Sequence, residues 1–177
     1  ALLGAIAALA FNASAAQRTF VSTAGSDANT ASNCSTTAPC RGFTAALTVT
    51  DSGGEIIVLS SGGYGPVTID KSVSIIAPEG IYAGISVFSG TGVTIATAGV
   101  NVVLQGLTIN GLGGTNGIGM TAGNSLTVKN CTIRDFTGTG VYGTSAINVR
   151  VFDSLFERVA YGALFEGGAS ALVSGSR

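Results

Sequence analysis

The sequence contains no histidine and no tryptophan, and among its 177 residues only 3 are proline and 3 are cysteine. Without an imidazole, this chain alone cannot run Ser-His-Asp hydrolysis, build a histidine zinc site or use histidine as a general acid or base. Any catalysis within it must use carboxylates, Lys, Arg, Tyr, Ser or Cys. Charge is also scarce: 8 Lys and Arg against 9 Asp and Glu leave a net charge of -1. That excludes a basic nucleic-acid binder of the usual kind. No apolar run reaches the roughly 20 residues that span a bilayer. The length fits one domain with a sizeable core.

Glycine is abundant, with 27 residues, and it is scattered among Val, Ile, Thr, Ser and Asn. A disordered chain needs low hydrophobicity and high net charge, and 46% hydrophobic residues with 10% charged ones give neither. Many short strands separated by tight turns are expected instead. Ala1 to Phe11 is apolar and uncharged and runs into Asn12-Ala13-Ser14-Ala15-Ala16. This matches the apolar core and small-residue cleavage site of an export signal, so residues 1–16 are read as a signal-peptide remnant and the mature chain is placed in a secreted, extracellular or periplasmic setting. The alternative is a short buried helix. Export permits disulfides, and Cys34 and Cys40 are expected to bridge and pin a Ser- and Thr-rich loop. Free thiols or half a metal site are the alternatives. Cys131 alternates inward and reads as a small core residue, with no metal site assigned to it.

Residues 17–54 read as an N-terminal loop and a capping helix, because Phe43, Ala46, Leu47 and Thr50 recur at helical spacing before Gly53-Gly54 breaks the pattern. Short β-branched strands follow at Glu55–Leu59, Val67–Ile69, Val73–Ile76, Ile85–Phe88, Val93–Ile95 and Val100–Leu104. The C-terminal half repeats itself. Leu104, Val128, Val151 and Val173 lead equivalent segments at steps of 24, 23 and 22, and Gly117-Ile118, Gly140-Val141 and Gly162-Ala163 follow at 23 and 22. Units this small cannot bury their own apolar faces and must stack as a solenoid. Leucine-rich repeats need Leu at fixed spacings that this chain does not provide. Two or three alternating stretches per repeat, with Gly, Asn or Asp at the corners, describe coils of a parallel β-helix.

On these repeats, together with Gly63-Tyr64-Gly65-Pro66-Val67-Thr68-Ile69 and Lys71-Ser72-Val73-Ser74-Ile75-Ile76, the chain resembles the right-handed parallel β-helix proteins of the pectate-lyase-like superfamily. The expected fold is all-β, a right-handed parallel β-helix with coils of about 22–24 residues over 55–177 and a short N-terminal capping helix. The resemblance implies a carbohydrate lyase using carboxylate-bound calcium with an arginine base, or a glycoside hydrolase using clustered aspartates. This chain has no Asp-Asp pair and no closely spaced outward acidic triplet. Asp135, Asp153, Glu157 and Glu166 are the oxygen ligands its repeats could offer calcium.

Adding one repeat takes Arg134 to Glu157 and Asp135 to Arg158, so complementary charges stack. One reading is a cross-coil ion-pair network that sets register. The other makes Asp135 and Glu157 paired carboxylates for acid/base work, with Arg134, Arg158 or Lys129 facing an acidic sugar. Tyr142 and Tyr161 are candidates for a sugar-stacking strip. Asn130 and Asp153 read as left-handed corner residues. Thr108 and Thr132 are followed by Leu155, which ends any ice-binding threonine ladder. The functional expectation is a secreted or surface β-helix that binds or processes polysaccharide without a recognisable active site in this chain; the alternative is a noncatalytic structural or adhesive module. The chain stops just after an incoming strand, so a fragment with further coils, or self-association through that end, is expected.

Overall fold

A computed structural model describes residues 15–177. Apart from Ala15 and Ala16, the expected signal remnant lies outside the described residues. The chain is an all-β parallel solenoid of about five turns. Strand β1 (Ala16–Val21) comes first, followed by a 3-10 turn at Asp27–Ser32 and helix α1 (Phe43–Val49). The first coil holds β2 (Thr50–Val58), β3 (Gly62–Gly63) and β4 (Val67–Ile69). The second holds β5 (Val73–Ile76), β6 (Ala83–Val87) and β7 (Thr91–Ala96), and the third β8 (Asn101–Gln105), β9 (Leu107–Gly111) and β10 (Asn116–Ala122). The fourth holds β11 (Ser125–Lys129) and the long β12 (Thr132–Gly143), the fifth β13 (Asn148–Phe152) and β14 (Leu155–Phe165), and β15 (Ser170–Ser174) follows.

Face A is the sheet β1-β2-β5-β8-β11-β13-β15. Face B is formed by β3, β6, β9 and the first parts of β12 and β14, whose later parts turn a corner into face C beside β4, β7 and β10. All these pairings are parallel and pair equivalent residues of successive coils, so each inward position becomes an apolar column. On face A, Ile56, Ile75, Leu104, Val128 and Val151 are in register, and all are fully buried. On face B the column is Ile85, Ile109, Ile133 and the half-buried Phe156. Burying such a side chain contributes about 1.5–3 kcal/mol, so the columns dominate stability. Both repeats found in the sequence coincide with this register: Val128 pairs with Leu104 and Val151, and Val141 pairs with Ile118 and Ala163.

In the second, third and fourth coils the narrow corner between faces B and C leaves no space for a side chain on the inside. Gly92, Gly117, Gly140 and Gly162 occupy it in successive coils. A methyl at Gly117 would lie 2.5 Å from Cγ2 of Ile133 and 2.6 Å from the carbonyl oxygen of Gly140. At Gly92, Gly117 and Gly140 glycine is therefore a packing requirement imposed by the Ile and Phe side chains opposite, whereas a methyl at Gly162 would meet Phe156 at an ordinary 3.5 Å.

Helix α1 covers the N-terminal end, with Phe43, Ala46, Leu47 and the following Thr50 buried, which are the residues the helical spacing singles out. It ends where Thr50 turns extended into β2, and there Lys71 Nζ donates to the carbonyls of Leu47 at 3.0 Å and Thr50 at 3.2 Å. At its other end Asp27 Oδ1 accepts from the amides of Arg41 and Gly42 at 2.8 and 2.9 Å. Two features differ from expectation in extent. Residues 16–21 form a strand paired to β2, and β2 itself begins at Thr50 rather than Glu55. The Cys34–Cys40 disulfide is present and wholly buried, and Cys40 continues the sheet edge by pairing with Val21. It ties the long loop before α1 onto the first strand.

Candidate functional site

The charged cluster sits where face B of coils four and five turns into face C. Arg134 on β12 is in register with Asn110 below and Glu157 above. The next residues, Asp135 and Arg158, have φ of 64° and 50°, in the left-handed region that a bulky side chain rarely adopts. This backbone turns both side chains toward each other. Arg158 donates from Nε to Asp135 Oδ1 at 2.5 Å and from Nη2 to Oδ2 at 2.9 Å, a bidentate pair across adjacent coils. The hydrogen bond from Arg158, with the charges of Arg158 and Arg134 adding to it, holds the Asp135 carboxyl below the usual range.

The expected Arg134–Glu157 pair does not form. Arg134 instead brings Nε to 3.8 Å from Asp135 Oδ2 of its own coil, because both arginines converge on the one carboxylate that bends toward them. Glu157 stays half-buried without an ion-pair partner among the described residues. Asp135 is thus an acceptor held ionised by two cations, and it cannot deliver a proton near neutral pH. Lys129 is exposed at the end of face A, in register with Gln105 and Phe152, and does not join the cluster.

A calcium ion does not fit these carboxylates. Ca2+ takes six to eight oxygens. Both Asp135 oxygens are spent on Arg158, while Asp153 and Glu166 lie at other corners, and among the described residues no group of three acidic or thiol ligands converges. Nor is Cys131 a nucleophile. Its thiol is buried and donates to the carbonyl of Lys129 at 3.4 Å, and burial pushes its pKa up to about 11.

The two tyrosines form no strip. Tyr142 is in register with Gly119 and Leu164, whereas Tyr161 is in register with Thr139, because Tyr161 follows Tyr142 by 161 − 142 = 19 residues, less than one coil. The Tyr142 ring lies over Gly119, and Tyr161 is 60% exposed. Beside Tyr142, face C carries a trough of about 200 Å³ lined by Asn116, Thr139, Thr144, Leu164 and Glu166. Asn116 Oδ1 accepts from the Thr139 amide at 3.0 Å and so orients one wall. Sequence reasoning missed Asn116 and Thr144, whose only signal is the coil period, and singled out Glu166 only as an oxygen ligand for calcium. No protein-family model and no curated protein matches this sequence, so any function must be read from the fold and its surface.

Proposed function

We propose that this protein is an exported β-solenoid that binds polysaccharide along its lateral faces without cleaving it. One observation carries this. The outer side of face B is a column of polar side chains, Ser86, Asn110, Arg134 and Glu157, repeated once per coil, and face C carries the separate Tyr142 trough. Strand-to-strand spacing of about 4.8 Å sets these groups at intervals along the axis, which suits an extended chain better than a compact ligand. The buried Cys34–Cys40 disulfide supports an oxidising compartment outside the cytoplasm. The locked Asp135–Arg158 pair argues against acid/base cleavage at that corner. The same pair favours the second reading, a structural or adhesive module in which ion pairs only tie coils together.

A panel of immobilised acidic and neutral polysaccharides, probed with and without calcium, tests the proposal alongside an assay for shortened or unsaturated products. Binding without product supports it. Binding nowhere on the panel sinks it and leaves the structural module, and product release refutes the noncatalytic part.

A further inference from the structure

The corner between faces A and B is regular in all coils but the first two. Backbone bonds climb it, from Ala77 N to Gln105 O at 2.9 Å, Gly106 N to Lys129 O at 3.0 Å, Asn130 N to Phe152 O at 3.1 Å and Asp153 N to Ser174 O at 3.0 Å. Gly106, Asn130 and Asp153 have φ of 73°, 51° and 49° and turn the chain within one or two residues. In the second coil Ala77 takes this place, but Pro78 to Tyr82 are interposed before β6 begins. The later coils turn without such residues; here Ile81 packs on the core and the Tyr82 carbonyl accepts from Gly62 N at 2.8 Å, while Pro78, Glu79 and Gly80 project outward.

They form a wall rather than a loose loop. Ile81 N donates to Pro78 O at 3.1 Å and Gly80 has φ of 82°, a turn of the type that needs a left-handed residue at its third position. Tyr82 N donates to Ser61 Oγ of the preceding coil at 3.0 Å, which fixes the far end. The turn puts Glu79 at its tip. Between this wall and the corner lies a groove of about 430 Å³, lined by Pro78, Glu79, Ile81, Gln105, Gly106 and Asn130. That volume is within the range of small-molecule sites, about 300–1,000 Å³.

We infer that this groove is a binding site for an uncharged sugar unit. The inference rests on the polysaccharide-binding reading and adds a site and a ligand class that the cluster at Asp135 does not offer. The side chains of Glu79, Gln105 and Asn130 have no hydrogen-bond partner among the described residues. A carboxylate accepts two hydroxyl protons, and each amide both donates and accepts, which matches the donor and acceptor pairs of adjacent sugar hydroxyls. Pro78 and Ile81 supply an apolar patch for the C–H side of the ring. The one charged group lining the groove is Glu79, so an anionic sugar is repelled. The rigid turn presents these groups already placed, which lowers the entropic cost of binding.

The test is a nitrogen-resolved NMR titration of the full chain with two probes, a neutral glucose tetrasaccharide and a galacturonic acid tetrasaccharide. The side-chain amides of Gln105 and Asn130 are read directly. The expected result is saturable movement of both signals with the neutral probe alone, and about tenfold weaker binding, or more, in Glu79→Gln. Asn130→Gly keeps the left-handed corner and should also weaken binding while leaving the circular dichroism unchanged. If the neutral probe moves only signals around Arg134 and Tyr142, the groove inference is overturned and polysaccharide binding stands. If the acidic probe moves the groove signals, the ligand class is wrong. If neither probe moves any signal, the groove inference falls, and the polysaccharide panel alone decides the broader reading.

Discussion

The glycine column at the B/C corner makes a prediction whose sign is set by packing alone. Gly117 does not sit in the left-handed region, so an alanine there would gain about 0.4–1 kcal/mol from the smaller entropy of the unfolded chain if its methyl fitted. It does not fit. The methyl would overlap Ile133 Cγ2 at 2.5 Å and Gly140 O at 2.6 Å. Neither neighbour can retreat, because Ile133 is fully buried between Ile109 and Phe156 and the Gly140 carbonyl belongs to a strand paired on both sides. Overpacking of this kind costs about 1–3 kcal/mol. The net expectation for Gly117→Ala is a loss of about 1–2 kcal/mol.

Gly63→Ala is the matched control: it is also outside the left-handed region and the nearest atom to its added methyl is Gly84 O at 4.0 Å. It should be neutral or slightly stabilising. Urea unfolding followed by far-ultraviolet circular dichroism compares the midpoints, provided the slopes agree. Ile133→Leu in the Gly117→Ala background removes Cγ2 and should restore part of the loss, not all, since Gly140 O remains. A Gly117→Ala midpoint at or above wild type, or losses equal to those of Gly63→Ala, would refute the packing argument.

Three further outcomes are expected. The Cys131 pKa is raised from about 9 to about 11, so the folded state holds a proton that the unfolded state gives up in that interval; stability should fall by about 2 kcal/mol as pH rises from 9 to 11, and the Cys131→Ala variant should lack that part of the slope. The Asp135 carboxyl is depressed by Arg158, so the stability it lends is present above the unfolded value of about 3.9 and lost as acid titrates the folded group; thermal midpoints of wild type and Arg158→Gln should differ near pH 6 and converge toward pH 2. At the left-handed corner, Asn130→Val should cost about 1–2 kcal/mol while Asn130→Gly costs little, and equal midpoints for the two in urea would show that the corner relaxes.

Much of this fold was legible because a solenoid makes sequence period and spatial register the same thing. Once Leu104, Val128, Val151 and Val173 are aligned, the inward columns and the left-handed corners at Asn130 and Asp153 follow, since equivalent residues stack directly. Strand β1 was missed because Gln17 and Arg18 interrupt its apolar alternation; it owes its conformation to pairing with β2, a partner far along the chain. The Arg134–Glu157 expectation failed at a finer level. Register places the two backbones together, but φ at Asp135 and Arg158 decides where the charges go, and backbone dihedrals leave no mark in residue spacing. The tyrosine strip failed on the count itself: Tyr161 follows Tyr142 by 161 − 142 = 19 residues, short of one coil, so Tyr142 pairs with Leu164 instead.

These failures say where function is to be sought on such a surface. A residue that obeys the coil period has a sufficient structural reason to be there, as the Ile columns, the glycine column and the Asp135–Arg158 tie all do. A segment that breaks the period without helping a coil to close needs another reason. The tip of the Pro78 to Tyr82 segment is such a case: Ile81 packs on the core and the Tyr82 carbonyl takes the Gly62 amide, but the third, fourth and fifth coils turn the same corner in one or two residues, and here the hydrogen-bonded turn leaves Glu79 unpaired above an open groove. Exposing a carboxylate on a rigid turn gains nothing for folding, since an unpaired surface charge contributes almost no stability. Its value lies in what it presents to solvent, and Glu79→Gln should therefore spare the solenoid while weakening sugar binding in the groove.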